Sequence, residues 1–189
     1  MAKWGKCDYR ELQRLQKKLE KMQKAQIDKF CEEMAKELAA RLLAKVIRRT
    51  PVGENQYEIR KVNGEEKRYT IKNGGTLRRG WTAKTETEAE NGKGSGANPT
   101  VYANSLKVTK TGTNYTIIVE NPVHYASYVE YGHRQEPGRY VPAIGKRLKK
   151  SWVPGKFMLT ISEKQINSMS ESLLEKKLMQ FLGECFEND

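Results

Sequence analysis

Between residues 9 and 49 apolar positions recur at helical spacing, and no Gly or Pro interrupts them, which predicts one long helix. Asp8 stands where an N-cap is expected, with Glu11 as its capping-box partner. Leu12, Leu15, Leu19 and Met22 form a heptad-like seam. From Ile27 the seam runs on through Phe30, Met34, Leu38, Leu42 and Val46, mostly in the longer stride of a plain α-helix. That change of stride resembles a stutter and predicts that the two halves pack against different things. A helix of about 40 residues would reach about 60 Å, longer than a domain of this size is wide. Residues 27–47 are therefore expected on the core. Residues 9–26, rich in lysine, are expected to protrude as an arm for a neighbouring subunit or as a solvated extension.

Pro51 ends the helix and biases Thr50 away from it. Alternation over residues 56–62 and 67–72, around Asn63-Gly64, predicts a β-hairpin. Thr76-Leu77-Arg78-Arg79-Gly80-Trp81 reads as the entry to a polar extended stretch up to Glu88, and residues 91–99 as a mobile loop. Two strands are expected next, at 101–109 and 113–120, the second with Tyr115, Ile117 and Val119 on one face and Ile118 on the other. Residues 125–132 (Tyr-Ala-Ser-Tyr-Val-Glu-Tyr-Gly) predict a short aromatic helix closed by Gly132, with Tyr125, Tyr128 and Val129 sharing a face. Residues 134–156 read as irregular and basic. Phe157-Met158-Leu159 returns to the core, and Ser162-Glu163-Lys164-Gln165 predicts the cap of a last helix. The fold class expected is α+β, an antiparallel sheet with the long N-terminal helix and the C-terminal helix packed on one face, plus an inserted hairpin. The expected organisation is a single domain over residues 1–189, with the arm at 9–26, the hairpin insertion at 54–75 and the basic loop at 134–156.

Composition adds a direction. Hydrophobic residues make up 37%, a low share, which fits a chain with much exposed or appended structure. The net charge is +12, favouring acidic partners. The three cysteines form no CxxC pair or zinc pattern and read as reduced thiols. No signal peptide is expected, and no stretch approaches the ~20 apolar residues of a membrane span.

Chemistry-bearing constellations are scarce. His124 and His133 have only Glu130 nearby as a carboxylate, which makes a metal site improbable. There is no phosphate-binding glycine loop; the alternating glycines at 92–96 read as a flexible loop. There is no nucleophile elbow or Cys–His pair. No cofactor and no enzymatic activity are expected. The basic segment is the main chemical signal. Arg134, Arg139, Lys146, Arg147, Lys149 and Lys150 are candidates to face DNA or an acidic partner, with Tyr140 and Trp152 interleaved as stacking groups. No sequence-reading motif accompanies them, so non-specific contact with duplex DNA is the form expected.

Taken in order, Arg49-Thr50-Pro51-Val52, Leu77-Arg78-Arg79-Gly80-Trp81, the tyrosine motif at 125–132 and Phe157-Met158-Leu159 resemble the signatures of the small neck and tail-component proteins of long-tailed bacteriophages and phage-tail-like particles. Here residues 53–75 insert a hairpin between the Pro-Val turn and Leu77-Arg78, and the loop at 134–156 is long. The resemblance implies an α+β fold and a structural virion role in the neck or tail, such as head–tail joining or tail completion. It further implies assembly in the host cytoplasm as a homo-oligomeric ring, a hexamer for example, in contact with neck, connector or tail-tube neighbours and with no membrane. Leu12, Leu15, Leu19, Met22, Tyr125, Tyr128 and Tyr131 are the candidate subunit-interface residues. The alternative, from a different class, is a non-specific DNA-binding accessory protein, which a steep salt dependence would reveal. A phage nuclease or protease, or a regulatory module, lacks a supporting constellation.

Overall fold

The computed structural model describes residues 24–53, 55–63, 65–72, 74–92, 98–142 and 145–187, together with Arg10, Gln13, Arg14 and Lys17, which are helical. Most of the expected arm, its seam residues Leu12, Leu15, Leu19 and Met22, and the glycine-rich stretch at 93–97 lie outside the described residues.

Helix α1 (Lys24–Arg49) and helix α6 (Met158–Glu187) are the two long elements. They run antiparallel: Phe30 stacks on Phe181 with centroids 4.7 Å apart, Glu37 pairs with Lys177 at 3.7 Å, and Lys45 reaches Gln165 at 3.4 Å. Along α1 the buried stripe is Ala39, Ala40, Leu43 and Val46, which meets Leu77, Trp81, Tyr102, Ala103, Val123 and Met158 to form the core. Phe30, Met34, Leu38 and Leu42 are half-buried beside that stripe.

The short elements between the long helices include several that differ from the sequence expectation. The extended stretch expected up to Glu88 is instead two helices, α2 (Thr76–Gly80) and α3 (Glu86–Asn91). Gly75, at φ 83°, starts α2, and the Thr85 side chain accepts the Glu88 amide to start α3. The strand expected at 101–109 is helix α4 (Pro99–Ser105). Asn98 accepts the amides of Thr100 and Val101, and Pro99 stands at the first helical turn, where its missing N–H costs nothing. That start signal outweighs the β-branched and aromatic residues that follow. α4 lies against α1, with Ala103 fully buried.

The strands form four two-stranded antiparallel sheets among the described residues. β1 (Gln56–Val62) pairs with β2 (Glu65–Lys72), with Asn63 at φ 56° in the turn, as its Asn-Gly sequence predicts. β3 (Thr109–Thr111) pairs with β4 (Asn114–Thr116). The strand expected over 113–120 leaves its ladder after Thr116, yet the alternation holds: Tyr115, Ile117 and Val119 turn inward while Ile118 is 73% exposed. Asp28 on α1 ties this hairpin down by accepting from Lys110 Nζ and Tyr115 Oη, both at 2.6 Å. That carboxylate raises the pKa of both groups above their ordinary values.

Helix α5 (Ala126–Tyr131) ends at Gly132, with φ 87°. The described residues of the segment at 134–156, read as irregular, include paired strands. β5 (Gly132–Arg134) pairs with β8 (Trp152–Pro154), and β6 (Tyr140–Val141) pairs with β7 (Lys146–Arg147) nested inside it. Amides of Gln135, Gly138 and Leu148 bond across the ribbon between the two ladders. The result is a two-stranded finger, whose strands were too short to register as alternation. The α+β class therefore holds, with a long N-terminal helix, a C-terminal helix and an inserted hairpin, and with the antiparallel pairing divided among small sheets.

Candidate interaction surface

The Arg-Thr-Pro turn and the Leu-Arg-Arg-Gly-Trp segment, far apart in sequence, are one latch in the fold. Thr50 is fully buried; its hydroxyl donates to Val46 O at 2.7 Å and accepts the Trp81 indole N–H at 2.8 Å. Arg78 donates twice to Thr50 O, at 2.8 and 3.2 Å, and so caps the C-terminal end of α1. Arg79 donates to Gly74 O and Ala89 O, both at 2.7 Å, holding the foot of the β1–β2 hairpin to α3. At Gly80 a Cβ would collide with Asn121 and Val123, so glycine lets α2 lie against that segment. Asn121 completes the joint by donating to Leu77 O at 2.8 Å.

Glu130 is the residue that sequence reasoning missed. It is 5% exposed, and its carboxylate accepts the amides of Leu159 and Thr160, each at 2.9 Å, and the Thr160 hydroxyl at 2.8 Å. These amides belong to the first turn of α6, whose orphan donors need an acceptor and whose dipole favours a negative charge. Glu130 is thus an N-cap supplied from another element. The predicted capping box at Ser162 is corrected accordingly: α6 begins at Met158, and the buried Ser162 hydroxyl donates back to Met158 O. Phe157, at φ 48°, makes the turn into the helix. The only advance signal was a carboxylate inside a short aromatic helix, because its partners lie about thirty residues downstream.

The finger leaves the body beside this cap. The amides of Lys156 and Phe157 donate to Val129 O and Glu130 O. Cβ atoms at Gly132 and Gly155 would run into the backbone of Val153 and Glu130 respectively, so two glycines let the paired strands approach closely here. Around this close approach lie exposed aromatic rings. Tyr128 and Tyr131 are 57% and 61% exposed, and Trp152, whose ring covers Gly132, is 48% exposed. Tyr125 instead packs on the core with Val129, its ring edge-on to His124. The three candidate tyrosines are thus divided, one inward and two outward. His124 pairs with Glu86, and His133 lies 5.7 Å from the Tyr128 ring, its Nδ1 buried with no described partner.

All six basic candidates are exposed and lie on the finger. Opposed residues of a ribbon share a face, so Arg147 with Tyr140 and Lys146 with Val141 place cations on opposite faces. Arg134 pairs with Trp152 nearer the base. An open groove of about 680 Å³ runs along the finger between His133, Arg134, Glu136, Arg139, Tyr140 and Leu148. A second, of about 720 Å³, lies between α1, the β4 segment and α6, lined mainly by Phe30, Met34, Leu38, Ile117, Val119 and Ile166. The β1–β2 hairpin packs chiefly on itself, with Tyr57, Ile59 and Tyr69 exposed and Arg68 stacked 3.5 Å over Tyr57. Among the described residues no group of three or more His, Cys, Asp or Glu could hold a metal, and no helix is long and apolar enough to cross a membrane.

The protein family described as "Bacteriophage HK97-gp10, putative tail-component" matches residues 13–132. The chain belongs to this family. The match takes in the latch, the inserted hairpin and α5, and it ends at the glycine from which the finger departs. This member is therefore a phage tail component, and its partners are proteins of the tail. No curated protein and no solved structure matches it significantly.

Proposed function

We propose that the chain is a structural protein of the phage neck or tail, of the head–tail joining or tail-completion kind, which acts by ring assembly and has no reaction to perform. Family membership is the observation that supports this reading. The distribution of polar and apolar groups agrees with it. The motif residues of the latch serve the body's own hydrogen bonds, while exposed apolar side chains include those on the outer face of α5, on the hairpin and along α6, and an apolar groove lies beside α1. We treat the chain as one α+β domain with the hairpin and the finger as its limbs. A ring joins one patch of each copy to a different patch of the next. The apolar seam Leu12, Leu15, Leu19 and Met22 suits the groove lined by Phe30, Met34, Ile117 and Ile166 in a neighbouring copy. Tyr128 and Tyr131 suit a neck, connector or tail-tube protein.

The test is assembly. Replacing Leu12, Leu15 and Leu19 together by Asp should remove the chain from purified particles and abolish completed heads-plus-tails, while its thermal midpoint changes by no more than a few degrees. Particles that form normally with this variant, or particles of its own genome that lack the chain altogether, would refute the proposal. The accessory DNA-binding reading is favoured by the finger's charge alone. It would require a wild-type chain that binds duplex in solution and takes no place in the particle.

A further inference from the structure

Half of the chain's net charge is concentrated on one limb. Residues 134–156 hold Arg134, Arg139, Lys146, Arg147, Lys149, Lys150 and Lys156 against the single acid Glu136, a net +6 of the total +12 in 23 of 189 residues. Elsewhere several cations have carboxylate partners close by, such as Lys110 with Asp28, Arg41 with Glu37, Arg60 with Glu58 and Lys177 with Glu37. None of the seven cations of the finger is ion-paired with a described residue; Arg147 donates to Gly138 O, a neutral carbonyl. Like charges crowded on a thin ribbon repel each other, and nothing in the finger's own ladders offsets that.

We propose that the finger is the chain's seat for duplex DNA, held through backbone phosphates and without regard to sequence. Three features favour phosphate over an acidic protein. Cations occupy both faces of the ribbon, whereas a protein surface would meet one face. A two-stranded ribbon fits the duplex major groove, about 12 Å wide, whose walls carry phosphates on both sides. Beyond the aromatic base the described finger has little apolar surface, only Val141 and Leu148 with two prolines and Tyr140. Protein partners need a desolvated apolar centre, while nucleic-acid interfaces are more polar and far more basic. The charged side chains of the two ladders are cations, Arg134, Lys146 and Arg147, and no sequence-reading motif accompanies them, so the contact proposed is to the phosphates. This rests on the assembly reading only for where the DNA is met, namely along the path of the genome through the particle.

The experiment is a salt titration of the purified full chain against two unrelated duplexes of about 30 base pairs. Log affinity should fall linearly with log salt at about −0.9 per phosphate reached, and equally for both sequences. Replacing Lys146, Arg147, Lys149 and Lys150 by Gln should make the slope shallower by about three to four. Replacing Lys164 and Lys176 on α6 should leave it unchanged. Should the fourfold variant not fold, Lys149→Gln with Lys150→Gln should still remove about two from the slope. An unchanged slope in the folded finger variants, a clear preference for one duplex, or displacement of the duplex by poly-glutamate as readily as by competitor DNA would overturn the proposal. Incorporation into particles is a separate readout. A finger variant that still enters particles but has lost DNA binding supports both readings. A wild-type chain that binds duplex yet is missing from particles supports this one and sinks the other.

Discussion

Arg78 and Arg79 in the body and Arg139 and Arg147 on the finger have the same side chain and opposite situations. The first pair is half-buried, with its N–H groups directed at the carbonyls of Thr50, Gly74 and Ala89, so the planar guanidinium acts as a splice between segments. The second pair is exposed, on a ribbon with one acid among its cations, and although Arg147 gives one N–H to the Gly138 carbonyl its charge stays at the surface. The body's arginines complete a fold, and the finger's carry charge outward for something else to meet. A basic composition therefore says little about binding until each cation is assigned to one of these situations.

The largest break in that comparison comes from the latch. Trp81→Ala should cost about 3–5 kcal/mol, the range for a buried aromatic replaced by a cavity, because Trp81 is 3% exposed and its N–H satisfies Thr50. The denaturant midpoint measures it; a loss under about 1 kcal/mol would mean that the latch is not what joins α1 to α2. Next comes Glu130→Ala, which strands two part-buried amides of α6 and should cost about 1–3 kcal/mol. Amide exchange should accelerate first at Leu159 and Thr160. Uniform acceleration over the whole body would count against a local cap.

The smallest effect is a pH dependence confined to the body. Burial raises the Tyr102 phenol above its ordinary value near 10, and Glu120 and Glu88 add to the shift. A group whose folded pKa is raised leaves stability intact below the unfolded value and removes it as pH climbs through the folded one. Stability should therefore hold to about pH 10 and then fall. In Tyr102→Phe the alkaline fall should be shallower, at the expense of the weak hydrogen bond to Ala83 O, 3.3 Å long. An identical alkaline fall in both proteins would assign it to other groups.

Much of the body was legible. The apolar stride of α1, the stop at Pro51, the Asn63-Gly64 hairpin and the close of α5 at Gly132 are local properties, written in consecutive residues and realised where they were expected. Helix α4 was also written locally, in Asn98 and Pro99, but the Val-Tyr that follows read as strand because β propensity reflects packing context more than backbone preference. The finger carries its charge visibly and its pairing invisibly: ladders of two or three residues give no periodicity.

By itself the sequence determined where the chain must turn, which helix faces are apolar and where the positive charge is gathered, since each depends on neighbours a few residues away. The tertiary structure alone decided which polar groups serve the fold. Thr50 meets Trp81 across 31 positions and Glu130 meets Thr160 across 30. Buried donors and acceptors must find partners wherever packing brings them, and that geometry exists only once α1, α2, α5 and α6 have come together.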